Sequence, residues 1–167
     1  DTFATERNLF NVTRNFAFVG IIAIGMMVVI ASGGIDLSVG ASVVLSAVVI
    51  GATMEQGWPL WAGIVFALGA ALIVGLVNGL LIAFLGMPPF VVTLGMLSFA
   101  RSMALVLSNN KMIYEFGPDH ELLLALGGGS TFGLPHPLIV MVILAVIMGF
   151  ILKWTRWGQH IFAIGGN

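Results

Sequence analysis

Residues 60–85 read LWAGIVFALGAALIVGLVNGLLIAFL, with no charged side chain and one amide, Asn78. A helix rises about 1.5 Å per residue, so about 20 apolar residues cross the roughly 30 Å of bilayer hydrocarbon. This stretch is long enough and apolar enough to be a transmembrane helix. The uncharged run containing it extends over 56–100, too far for a single helix. Gly86-Met87-Pro88-Pro89 divides it, because each proline removes a backbone donor and biases the preceding residue away from helix. A second span is therefore expected over about 90–107.

The same reading extends in both directions. Residues 15–35 and 37–54 are uncharged, and 16–31 are dense in Ile, Val, Met and Gly. Residues 137–152 form a last apolar run, followed by Lys153, Trp154, Arg156 and Trp157. A basic and aromatic cluster at the end of a span is an interfacial anchor. The expected fold is all-α, a polytopic transmembrane helix bundle of about five spans, with a broken or re-entrant segment near residues 32–40. Composition agrees: 59% of residues are hydrophobic and 8% are charged, against about 25% charged in soluble domains. A net charge of −1 offers nucleic acid no electrostatic footprint. Cysteine is absent, which excludes disulfides and thiolate metal sites from this stretch.

Residues 108–136 carry Lys111, Glu115, Asp119, Glu121 and three consecutive glycines, 127–129. They read as a solvent-facing loop with a short element over 122–126. The glycine triplet lacks the Lys-Ser/Thr of a nucleotide-binding loop and no buried strand precedes it. Lys153 and Arg156 put the end of the last span in the cytoplasm; the charges of the N-terminal segment, Arg7 and Arg14, support that orientation poorly. The N-terminal residues do not read as a signal peptide. The stretch is expected to be the N-terminal to central part of one transmembrane domain, over 1–167, cut from a longer chain at both ends.

Several residues carry more than hydropathy. Gly63, Ala67, Ala71, Gly75 and Gly79 recur every four residues, a stripe that lets helix backbones approach closely. Its plain reading is helix packing. Asn78 either bonds a neighbouring helix or faces a polar path. In Ser32-Gly33-Gly34-Ile35-Asp36-Leu37-Ser38-Val39-Gly40 the glycines interrupt the helix. Asp36 and Ser38 there either cap the next helix or mark a broken helix beside a path. Arg101 falls about 16 Å along its helix from Phe90, where a charge costs about 2.5–3.5 kcal/mol on insertion scales. Either it pairs within the bundle, with Asp36 as the one other charge near that depth, or it snorkels toward the Lys111 side. His120, His136 and His160 match no metal spacing, so no metal site is expected. No catalytic arrangement can be argued from residue order.

Together these residues resemble a known family. SGGIDLSVG after the first span, NGLLIAFLGMPPFVVTLGMLSFAR, and KWTRWGQHIFAIGGN after the last span are similar to the ribose-type sugar permeases of bacterial ABC importers. The resemblance covers nearly the whole stretch, in order. It implies the membrane-spanning subunit of a binding-protein-dependent importer in the bacterial cytoplasmic membrane, paired with a second permease as a homodimer or heterodimer. It implies cytoplasmic ABC ATPase subunits that hold ATP and Mg, with no cofactor on this chain. An extracytoplasmic binding protein would deliver a pentose, a hexose or a related polyol. The permease itself is expected to be no enzyme. Thr155, Arg156, Gly158, Gln159, Ala163, Gly165, Gly166 and Asn167 match the start of the family's ATPase-coupling region, whose docking helix lies past Asn167. Candidate path residues are Ser32, Asp36, Asn78, Thr93 and Ser98. The loop YEFGPDHELLLALGGGSTFG departs most from the family pattern and leaves the sugar open. Rival readings are a branched-chain amino-acid importer permease, a membrane-embedded enzyme using Asp36 and histidines, and a purely structural subunit.

Overall fold

The computed structural model describes residues 4–166. In order, the elements are α1 (Glu6–Ala31), α2 (Val39–Glu55), α3 (Leu60–Ala83), α4 (Pro89–Leu107), a 3-10 turn (Gly117–Asp119), α5 (His120–Gly128), β1 (Ser130–Thr131), β2 (Leu134–Pro135), α6 (His136–Trp154) and α7 (Arg156–Gly165). Helices α1, α3, α4 and α6 are long and apolar enough to cross a membrane, and α2 is a shorter apolar helix of 17 residues. The protein is a polytopic helical bundle. It divides into two compact units, one built from residues 35–123 and the other from those up to 34 with 124 onward.

In the 35–123 unit, α2 packs on both α3 and α4. The seam is filled by Ala41 and Leu45 of α2, Val74 of α3, and Met96, Ala100 and Ala104 of α4. Small side chains dominate because, in lipid, close van der Waals packing draws helices together. Gly63 marks the closest approach: a Cβ there would sit 3.3 Å from the Cα of Ile50. Prolines start α4, with Pro88 as its N-cap and Pro89 in its first turn.

Residues 108–119 fold back onto the α2–α3 connection. Asn109 and Asn110 take left-handed φ of 51° and 56°, a region asparagine tolerates. Gly117, at φ +60°, lies against the Met54 carbonyl. The Asp119 carboxylate then accepts from the backbone N–H of Leu60 at 2.8 Å. Pro59 has no side-chain donor or acceptor to cap α3, so Asp119, 59 positions from Leu60, does so. Asp119→Ala is expected to lower stability by about 1 kcal/mol, the usual worth of an N-cap, with Asp119→Asn losing less. Thermal unfolding of the full-length protein in detergent checks this. Equal midpoints for the wild type and the alanine variant would show that water caps Leu60 as well as Asp119 does.

In the other unit, α1 lies beside α6, with Gly20 against Met141. Helix α1 starts well ahead of the uncharged run because the Thr5 side chain caps it, accepting from Asn8 N–H at 3.4 Å, and Glu6 occupies its first turn. The expected short element over 122–126 is helix α5, and a two-stranded hairpin follows it, pairing Ser130 with Pro135 and Thr131 with Leu134. His136 holds this corner. Its Nδ1 donates to the Ala125 carbonyl at 2.7 Å and its Nε2 lies 2.9 Å from Thr131 Oγ1. Gly129 leaves room for that ring, since a Cβ there would fall 2.8 Å from the imidazole.

Candidate functional site

Helix α1 ends where Ser32 Oγ donates to the Val29 carbonyl at 2.8 Å and Gly33 turns to φ +79°. The chain runs on without helical bonds to Ser38. Within the 35–123 unit this segment becomes a polar relay. Asp36 Oδ1 accepts from the Ser38 backbone N–H at 2.7 Å and from Ser38 Oγ at 2.6 Å. Ser38 Oγ in turn accepts from Asn78 Nδ2 at 3.0 Å. Ser38 is 0% exposed and Asn78 is 5% exposed, whereas Asp36 is half-buried. Of the two readings for Asp36 and Ser38, the capping one has both side chains accepting at the start of α2. Asp36 accepts from a backbone N–H there, but the Ser38 side chain makes no cap bond and donates its hydrogen bond to Asp36.

The relay is held from both sides. Ser42 Oγ donates to the Ser38 carbonyl at 3.0 Å, anchoring the first turn of α2. Asn78 reaches it from the face of α3 that carries Gly63, Ala67 and Val74, all buried. One acceptor is left over: among the described residues, Asn78 Oδ1 is buried with no hydrogen-bond partner. Such orphans are rare, because an unmet polar atom in a low-dielectric interior costs free energy.

The other candidate path residues are not gathered into this relay. Ser32 belongs to the other unit. Thr93 is buried on α4, with its hydroxyl on the Pro89 carbonyl at 2.8 Å. Ser98 is exposed and leans on the Leu94 carbonyl at 3.4 Å. Arg101 is exposed on α4 and lines a groove of about 410 Å³ with Gly40, Ala41 and Val44 of α2 and Leu97 of α4. The hydrogen-bonded partner of Asp36 is Ser38, not Arg101. Of the small-residue stripe, Gly63 and Ala67 are buried and Ala71 is half-buried, while Gly75 and Gly79 face open space.

The region after the last span is helix α7. Thr155 caps it, accepting from Gly158 N–H at 3.4 Å while donating to the Ile151 carbonyl at 2.6 Å. Gly158 is buried against the backbone of Leu152, and Gly165 lies against the carbonyl of Ala31. Arg156, Gln159 and Ala163 are exposed, Gly166 is the C-cap, and Asn167 lies outside the described residues.

The chain is 36% identical over 166 residues to the ribose import permease protein RbsC of Bacillus subtilis, covering 99% of this chain and 51% of that protein. It is 35% identical over 165 residues to the L-arabinose ABC transporter permease protein AraH of Azospirillum brasilense, covering 99% and 48%. To the autoinducer 2 import system permease protein LsrD of Klebsiella pneumoniae it is 35% identical over 158 residues, covering 93% and 48%. The chain thus spans about half the length of the curated relatives it matches. No solved structure matches it. It is a multi-pass protein of the inner membrane. Residues 8–167 match the family described as "Branched-chain amino acid transport system / permease component", and the chain belongs to that family.

Proposed function

We propose that this chain is part of a single permease domain, the membrane-spanning subunit of an ATP-driven ABC importer that moves a monosaccharide or related polyol inward. The observation that carries the reading is that curated relatives matched over nearly the whole chain are permease proteins named for ribose, arabinose, fructose and allose, two of them as import permeases. In this reading, ATP and Mg sit on partner ATPase subunits, a second permease completes the path, and an extracytoplasmic binding protein delivers the sugar. The chain itself performs no chemistry. Its task is to alternate between two packings of similar free energy.

The Asp36–Ser38–Asn78 relay suits that task. It ties the non-helical segment before α2 to α3, so movement of α3 against α2 must remake it. Asn78 Oδ1 has a hydrogen bond to gain in another packing. A path offering an amide and hydroxyls also suits a neutral, hydroxyl-rich solute. Ser32, Thr93 and Ser98 are further candidates along it. The residues from Thr155 to Asn167 would lead into the contact with the ATPase.

The family description names branched-chain amino acids, which motivates a second reading in which the cargo is an apolar amino acid. Reconstitution decides between them. Full-length protein with its ATPase and binding protein in liposomes is expected to take up one labelled sugar in an ATP-dependent manner. Uptake of leucine or valine with no sugar transported would replace the sugar reading with the second.

A further inference from the structure

Helix α7 is amphipathic, unlike α3 and α6, which are apolar nearly all round. Trp157, Ile161 and Ile164 recur at i, i+4 and i+7 and share one face. Trp157 is 76% exposed and Ile164 is 67% exposed. Gln159 and Ala163 lie on the other side and are exposed, Arg156 and His160 border the stripe, and Phe162, 55% exposed, lies away from it. Residues 136–166 contain Lys153 and Arg156 but no Asp or Glu.

The height of α7 is fixed at both ends. A Cβ on Gly158 would collide with the backbone of Leu152, near the end of α6, and one on Gly165 would collide with the Ala31 carbonyl, the end of α1. Helices α1 and α6 run parallel, since the first turns of α1 adjoin the β hairpin that leads into α6. Their C-terminal ends therefore lie at one face of the membrane. At about 15 Å long, α7 reaches across both ends. Thr155, extended at φ −111° and ψ 158°, is the corner that turns the chain out of α6. Beside that corner Lys153 Nζ stands 5.5 Å from the centroid of the exposed Trp154 ring.

We propose that α7 is an interfacial helix lying in the plane of the membrane surface, with Trp157, Ile161 and Ile164 in the headgroup–acyl boundary and Lys153 and Arg156 at anionic lipid phosphates. The occupant is lipid because the apolar stripe is carried at the level where two membrane-crossing helices end, and because the flanking charges are all basic. The inference is independent of which solute is carried. It divides the helix by face: Gln159 and Ala163 look toward water, and the Trp157 stripe is taken by the membrane.

Spin-label scanning tests this directly. Single cysteines at 157, 159, 161, 163 and 164 would be placed in otherwise cysteine-free, full-length protein in phosphatidylcholine–phosphatidylglycerol vesicles. All are exposed or half-exposed positions that tolerate a label, and size-exclusion profiles would confirm folding. The ratio of oxygen to water-soluble nickel collision is expected to be at least about threefold higher at 157, 161 and 164 than at 159 and 163, following the apolar face of an interfacial helix. A Lys153→Gln, Arg156→Gln variant is expected to lower that ratio at 161. High nickel access at all five positions would overturn the proposal, as would a stripe shielded from both reagents, which would mean a protein partner covers it.

Discussion

Asp36→Ala is expected to destabilise the folded protein by about 2–4 kcal/mol, while Asp36→Asn costs about 1 kcal/mol. The size follows from what Asp36 serves. One of its oxygens accepts from both the backbone N–H and the hydroxyl of Ser38. Ser38 is wholly buried, so water cannot take over either bond. Alanine leaves two donors unmet, each costing about 1–3 kcal/mol when buried, with incomplete additivity. Asparagine keeps an acceptor oxygen at the same reach and loses the charge assistance. The contrast between the two variants separates hydrogen bonding from simple loss of volume. Denaturation of the full-length protein in mild detergent reads both. If alanine and asparagine proved equally mild, Ser38 would have to find its acceptor elsewhere and the relay would not hold the segment before α2.

The positions of the spans were legible because a run of some 20 apolar residues is a strong signal that hardly depends on context. The expected runs over 60–85, 90–107 and 137–152 became α3, α4 and α6 within a few residues. Where boundaries differed, the cause was local chemistry that hydropathy does not register. The first helix starts at Glu6, not near 15, because a side-chain cap sets its beginning and a helix can carry Arg7 and Arg14 outside the hydrocarbon. The hairpin at 130–135 rests on the left-handed turn at Phe132 and Gly133, and phenylalanine is a poor signal for such a turn. Asp36 and Asn78 stood out as polar residues in apolar surroundings. Their meeting through Ser38 did not, because it joins positions 40 apart and depends on how α2 docks on α3. Thr93 and Ser98 have the same polar signature, yet each hydroxyl leans on a carbonyl of its own helix. Polarity marks a residue that needs a partner; packing decides which partner it finds.

Gly63→Leu is expected to cost about 3 kcal/mol or more, whereas Gly79→Leu is expected to stay within about 0.5 kcal/mol of wild type. Both glycines belong to one stripe of small residues at four-residue spacing, so sequence alone treats them alike. Helical geometry does not. Each four-residue step overshoots a full turn by about 40°, so four steps rotate the stripe by about 160° around α3. Gly63 at one end points into α2, where a Cβ would sit 3.3 Å from the Ile50 Cα and 3.4 Å from its carbonyl oxygen. Those are backbone atoms and cannot rotate aside, which puts overpacking at the upper end of its usual range. Gly79 at the other end faces open space. The face that α3 does bury follows Gly63, Ala67, Val74 and Asn78, whose mixed steps of four and seven keep them within about 60° of one another. Asn78 lies on that same face about 22 Å further along α3, where it meets Ser38. Melting midpoints of the two full-length variants decide the matter. A Gly63→Leu protein melting with the wild type would mean that α2 and α3 do not meet at Ile50. A Gly79→Leu protein falling as far as Gly63→Leu would mean that another helix covers the open end of the stripe.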